Sequence, residues 1–328
     1  MKKILIAASA LTTVGLTSTA MAADITMSGH GQFRFNSWSD NATASENANK
    51  NSTAFQTALT VEAKKASDSG LTYSVSQTLL TADGADTKSD GQSMKISGDF
   101  GAVDFTDGHG YADDFETSAD VAADEATTVH KGFDGDSQIF SKAGKANITY
   151  LSPKISGLQF SAGYSNAGAA SKANATAFGV GYSGGTMKRS FKVKYAGSTA
   201  ADNGSAGSNK YSASSIGAVL GTEKIDLTLA YNTQKVTPKG GTTANNYKGT
   251  GVGLTYKATD SLNLALHRKS ASDGKNKKWK YGETAVSGVY TVAPGLTTSL
   301  TYTDSKLTDN AGKSNSGKYT RVEVRVAF

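Results

Sequence analysis

The chain has 328 residues, a formal net charge of +6, 36 glycines, 3 prolines and no cysteine. Without cysteine there is no disulfide framework, no thiol chemistry and no cysteine-ligated metal, and so small a charge argues for no nucleic-acid partner. Only 38% of the residues are hydrophobic, a polarity that suits a disordered or repeat protein unless a periodic pattern shows how the chain buries what it has.

The first element read along the chain is a leader. Lys2 and Lys3 precede an apolar run from Ile4 to Leu16, and Ala20-Met21-Ala22 follows. A positive start, a short apolar run and a small-x-small site predict a signal peptide over residues 1–22, cut after Ala22. Its removal takes two lysines and lowers the charge from +6 to about +4. No later stretch approaches the ~20 apolar residues of a spanning helix.

From residue 23 to 328 the pattern has period two. In "ITMSGHGQFRF", Ile25, Met27, Phe33 and Phe35 share one face, and Thr26, Ser28, His30, Gln32 and Arg34 the other. "FQTALTVEAK", "LQFSAGYS", "SFKVKY", "KIDLTLAYN", "SLNLALHR" and "LTTSLTYTD" repeat the rule. Tight turns are predicted at 66–70, 98–101, 153–157, 184–187, 221–224, 258–260 and 293–295, all rich in Gly, Pro, Asp or Ser. Longer polar tracts are predicted at 39–52, 81–91, 108–144, 166–174, 197–210, 233–246, 271–278 and 306–317. Short and long connections alternate, and together they separate sixteen strands.

An all-β fold follows: a 16-stranded antiparallel transmembrane β-barrel. Closure satisfies every backbone donor and acceptor in lipid. Strands with apolar residues outward and polar residues inward explain a polar composition, and short periplasmic turns alternate with long external loops. Phe33, Phe35, Phe160, Tyr164, Tyr182, Tyr195, Tyr231, Tyr256 and Tyr302 fall near strand ends on the apolar face, where aromatic girdles sit. A soluble sandwich would need a second sheet to cover all these narrow faces.

The final stretch, "YTRVEVRVAF", alternates Val322, Val324 and Val326 with Arg321, Glu323 and Arg325, and ends on Phe328. Together with "ADITMSGHGQFRF" and "ISGDFGAVDFTDG" it resembles the general (non-specific) porins of the Gram-negative outer membrane, most like the alphaproteobacterial type. The resemblance covers residues 23–328. It implies a trimer in outer-membrane lipid, passive diffusion of small hydrophilic solutes, and Phe328 as a signal read by the outer-membrane assembly machinery. It also implies that the loop after the fifth strand folds into the barrel and narrows it. The proline-rich constriction motif of enterobacterial members is missing here. A barrel of structural or adhesive role with a plugged lumen is the alternative.

That fifth-strand loop is acidic. Asp107, Asp113, Asp114, Glu116, Asp120, Asp124, Glu125, Asp134 and Asp136 fall within thirty residues that hold one lysine. Carboxylates at a constriction set ion preference through the local potential, whereas a charge run can equally be a solvated surface loop. By alternation Arg34, Lys95, Arg321 and Arg325 point inward from strands near one another around the barrel, forming a basic wall opposite the acids. Lys192 and Lys194 are placed elsewhere. Asp113, Asp114, Glu116, Asp134 and Asp136 could also offer oxygens to calcium, although no EF-hand spacing is present. No other cofactor is implied. None of His30, His109, His130 and His267 lies in a nucleophile motif, and the glycines of "GTGVG" (249–253) precede no helix. No enzymatic activity is expected.

Overall fold

The computed structural model describes residues 23–38, 51–82, 88–106, 111–122, 147–165, 173–186, 188–202, 210–237, 245–275 and 278–328. The predicted signal peptide lies outside them. Sixteen strands close into one antiparallel barrel, each paired with its chain neighbours and β1 with β16. The first eight are β1 Asp24–Trp38, β2 Asn51–Ala66, β3 Thr72–Ala82, β4 Lys88–Gly98, β5 Gly101–Thr106, β6 Asn147–Leu151, β7 Leu158–Ser165 and β8 Ala173–Gly185. The rest are β9 Arg189–Asp202, β10 Lys210–Thr222, β11 Ile225–Thr237, β12 Asn245–Lys257, β13 Leu262–Asp273, β14 Lys280–Ala293, β15 Leu296–Thr308 and β16 Ser314–Ala327.

Burial is inverted relative to a water-soluble domain. The exposed large side chains are Met27, Phe33, Phe55, Val75, Phe178, Leu220, Leu266, Leu300 and their kind, all on the outward face. The most completely buried ones are Tyr319, Thr301, Thr303 and Ser305, which point inward. Lipid on the outside and water within reverse the usual sorting. All seven tight turns fall where expected. At one of them Gly101 takes φ 107, and a Cβ there would stand 2.1 Å from the Leu151 carbonyl oxygen.

On the long-loop side the strands run further than predicted. Hydrogen-bonded pairing continues into 197–202, 233–237, 271–273 and 306–308. There the outward residues are Lys235, Lys306, Thr308 and similar side chains, so hydropathy no longer alternates although the ladder persists. A spanning strand needs only ~9–11 residues, while β9 has 14 and β14 has 14. The surplus projects beyond the apolar belt.

Closure is clean at the seam. Gly29 and Phe328 exchange both backbone hydrogen bonds (2.9 and 3.0 Å). Phe328 is 73% exposed on the outward side, its ring lying over Gly29.

A lumenal loop and the wall that holds it

Residues 111–122 lie inside the barrel, after β5. Their backbone makes a 3-10 turn at Asp113–Phe115 and then runs extended. Alternation governs this stretch too: Phe115, Thr117 and Ala119 are buried, while Asp114 is exposed and Glu116 half-buried. The buried set faces the inner surfaces of β8, β10 and β12.

Those surfaces carry glycine wherever the loop crosses. A Cβ on Gly179 of β8 would stand 2.5 Å from the Phe115 ring. One on Gly217 of β10 would stand 2.3 Å from Thr117, and one on Gly251 of β12 would stand 2.4 Å from the Ala119 Cβ. Gly253 would meet the Ala119 carbonyl oxygen at 2.7 Å and Val121 at 2.8 Å. Glycine inside a strand marks a close approach of something else, and here that something is the loop. The "GTGVG" run is therefore part of a Cβ-free track.

Polar contacts fasten the loop along the same track. Lys194 of β9 donates to the Asp114 carbonyl (2.7 Å). The Thr117 amide donates to the Ser215 hydroxyl (3.0 Å), which lies 3.4 Å from the Thr117 carbonyl. At the far end Asp120 enters a buried cluster on β13 and β14. Lys269 Nζ lies 2.6 Å from Asp120 Oδ2 and 3.1 Å from Glu283 Oε1. His267 Nδ1 is 3.0 Å from Asp120 Oδ1, and Nε2 is 3.0 Å from Glu283 Oε1. Tyr281 donates its hydroxyl to Glu283 Oε2. The Ala122 amide donates to His267 Nδ1 at 3.4 Å, which leaves the ring proton on Nε2, facing Glu283; Asp120 Oδ1, though near Nδ1, makes no hydrogen bond.

Asp120, His267 and Glu283 offer ligand atoms close enough for a metal ion. Lys269 already places its ammonium against both carboxylates, so the cluster carries its own cation and does not fit a metal. Of the residues expected to offer oxygens to calcium, Asp134 and Asp136 lie outside the described residues, as do Asp107, Asp124 and Glu125. Asp113 stands in the 3-10 turn.

The basic residues divide. Arg34 and Arg321 project from adjacent strands, with Arg34 facing Glu323 and Asn36 facing Arg321 in the register. Arg34 Nε forms an ion pair with Glu323 (2.8 Å), and Arg321 Nε donates to Asn36 Oδ1 (2.9 Å), which also accepts from Tyr319 (2.5 Å). Arg325 is exposed near the short-turn end. Lys95 belongs to a different group: it sits on β4, its ammonium 5.6 Å from the centre of the Tyr111 ring at the start of the loop. Burial, with Asp104 and Asp114 nearby, pushes the Tyr111 phenol up to about 12. Two expectations are thereby corrected. Lys95 does not share the Arg34–Arg321 seam, because two strands separate β4 from β1. Asp120 does not face the Arg34–Arg321 seam, because Lys269 and His267 hold it against β13 and β14.

Sequence reasoning missed Lys194, His267, Lys269, Tyr281 and Glu283 as loop anchors. Their inward parity was readable, but the loop residues they hold are remote in sequence, 80 residues away for Lys194 and 149 for Lys269. The glycines supplied a usable signal: inward positions of the alternate strands β8, β10 and β12 lack a Cβ.

A model of the Gram-negative porin family matches residues 7–310. The chain belongs to the Gram-negative porins. It is a closed outer-membrane barrel forming a channel. Solved porin-like structures agree on the fold. An in-vitro folded trimer form of OmpT, an outer membrane protein of Vibrio cholerae, shares 11% identity at TM-score 0.73, covering 94% of this chain and 100% of that one. An anion-selective porin from Comamonas acidovorans shares 12% at TM-score 0.73, covering 93% and 100%. A double mutant of the Rh. blastica porin shares 15% at TM-score 0.58, covering 93% and 100%. A comparison with curated proteins gives no match.

Proposed function

We propose that this porin is a non-enzymatic homotrimer through which small hydrophilic solutes and ions diffuse passively, with residues 111–122 setting the aperture. The observation that carries the reading is the seating of the loop. It lies against β8–β13, held by Lys194, Ser215 and Lys269, with Asp114 exposed rather than packed into the wall. A plug would need its polar groups buried across the whole section; this segment lines one side. Asp114 and Glu116 then contribute negative potential to the passage, and Arg321 and Arg325 contribute positive potential from the β16 side.

Trimer formation is supported by the trimer form of the OmpT neighbour, and assembly by the outward Phe328 at the closing seam. Calcium remains a proposal for the acidic tract, with Asp134 and Asp136 as its oxygen donors. Single-channel recording in a planar bilayer tests the reading. Stable, ohmic steps in threes are expected. A barrel that inserts and conducts nothing would instead support the structural or adhesive role.

A further inference from the structure

His267 stands where the lumenal loop ends against the wall, and its two ring nitrogens face different partners. Nε2 is 3.0 Å from Glu283 Oε1, and Nδ1 accepts from the Ala122 amide at 3.4 Å. A third group crowds the same nitrogen: Asp120 Oδ1 lies 3.0 Å from Nδ1. In the neutral ring these are two acceptors face to face, and Oδ1 is buried without a hydrogen bond. Leaving a buried charged acceptor unmatched is costly.

Charge in the site is unbalanced in the same direction. Among the described residues, the loop presents Asp120 to His267, β13 presents Lys269, and β14 presents Glu283 and Tyr281. Gly253 of β12 and Ala285 of β14 stand opposite His267 in the register and bring no charge, and Thr303 of β15 lies beyond Ala285. Two carboxylates therefore share one ammonium, beside a histidine that is 2% exposed. One further positive charge balances the cluster, and buried charges are tolerated when they are paired.

We infer that His267 is a one-proton latch on the lumenal loop. A proton taken from bulk water and bound at Nδ1 lies between the ring and Asp120 Oδ1, and supplies both the missing hydrogen bond and the missing charge. The nitrogen keeps it, because imidazole in water is a stronger base than a carboxylate by about two and a half pH units. The same proton turns Nδ1 from an acceptor into a donor, so the Ala122 amide loses its partner. Acidification thus moves the tie from Ala122 back to Asp120, and makes it a charge-assisted bond. The seat of residues 111–120 becomes firmer as pH falls. Any effect on conductance rests on the reading that this loop sets the aperture, whereas the latch itself does not.

The test uses the folded protein in detergent, with nitrogen-labelled histidine, titrated by NMR from about pH 8 to about pH 5. Loss of a signal in His267→Gln assigns the ring. At the alkaline end a neutral ring with its proton on Nε2 is expected, and at the acid end an imidazolium. Asp120→Asn removes the facing carboxylate without touching a strand, and should lower the proton affinity of His267 about tenfold or more. A ring that stays neutral to the acid end, a ring already charged at the alkaline end, or an unchanged titration in Asp120→Asn would each overturn the latch. Should His267→Gln not fold, Asp120→Asn decides alone, and the latch fails if no histidine shifts in it. Open-channel noise in a planar bilayer is the second readout. The wild type should be quieter at the acid end, and Asp120→Asn should lose that difference; a difference it keeps in full counts against the latch. The expected titration with no change in noise would overturn the aperture reading instead and leave the latch standing.

Discussion

Phe115 rests on Gly179 so closely that no other residue fits beneath it: a Cβ would come within 2.5 Å of the ring. The relation joins two features that look unrelated in the sequence, an aromatic residue within an acidic tract and a glycine within a strand. It also separates the loop's position from the barrel's stability, because the track faces the lumen and the ladder runs beneath it.

The first prediction uses that separation. Gly217→Val places branched carbon where Thr117 now lies, 2.3 Å from the built Cβ. Valine suits the strand itself, so heat-modifiable folding should persist while the loop lifts from the wall. Single-channel conductance should change, with more open-channel noise, whereas Gly282→Val on the outward face should leave conductance alone. Identical traces for Gly217→Val and wild type would show that the loop is not seated on β10.

A second prediction concerns the far anchor. Lys269 sets its single ammonium against both Asp120 and Glu283, at 2.6 and 3.1 Å, in a site whose side chains are nearly inaccessible. Lys269→Met leaves two buried carboxylates without their ammonium, and removing one partner from a buried ion pair costs roughly 3–5 kcal/mol. The loop should then detach, seen as faster proteolysis within residues 107–146 in an otherwise folded barrel. Adding Asp120→Asn should recover part of the loss, since one uncompensated charge is gone. A double variant worse than the single one would mean that Asp120 and Lys269 do not act as a pair.

The architecture was legible because lipid imposes a simple rule on every strand. Period two, alternating connection lengths and the Val322–Val324–Val326 face each follow from closure in an apolar solvent, and all survive in the barrel. Strand ends on the long-loop side were not legible. Beyond the apolar belt both faces of β9, β13 and β15 are polar, so hydropathy carries no phase although pairing continues. Within the site, the inward direction of Arg34, Arg321 and Lys194 followed from alternation. The Lys194–Asp114 contact did not, because it depends on the path of the loop. Asp120 read as one acid among nine, and only His267 and Lys269 across the barrel wall distinguish it.

The third prediction concerns the two faces of the closing strand. Val322 faces lipid opposite Leu300, in the middle of the apolar rows. Val322→Arg should cost roughly 2–4 kcal/mol for a charge near the bilayer midplane, read as a lower urea midpoint in vesicles. Arg325→Val, on the inward parity near the short-turn end, should fold almost normally. A reversal of the two severities would shift the register of β16 by one residue.

The last prediction concerns ion preference. Arg34 is paired with Glu323, so the β1–β16 wall is less positive than its arginines suggest, while Arg321, hydrogen-bonded to the neutral Asn36 amide, keeps its charge. Asp120 is paired as well, with Lys269. On the passage side of the described loop stand Asp114, exposed, and Glu116, half-buried. Their field reaches about a Debye length, ~10 Å at 0.1 M salt and ~3 Å at 1 M. Asp114→Asn/Glu116→Gln should therefore move the reversal potential under a salt gradient toward anions, and more so at low salt than at high. Asp120→Asn should shift it less, because that carboxylate is already countered inside the wall. If Asp120→Asn had the larger effect, the cluster on β13 and β14 would face the ions directly, and the seating of residues 111–122 against the wall would be wrong.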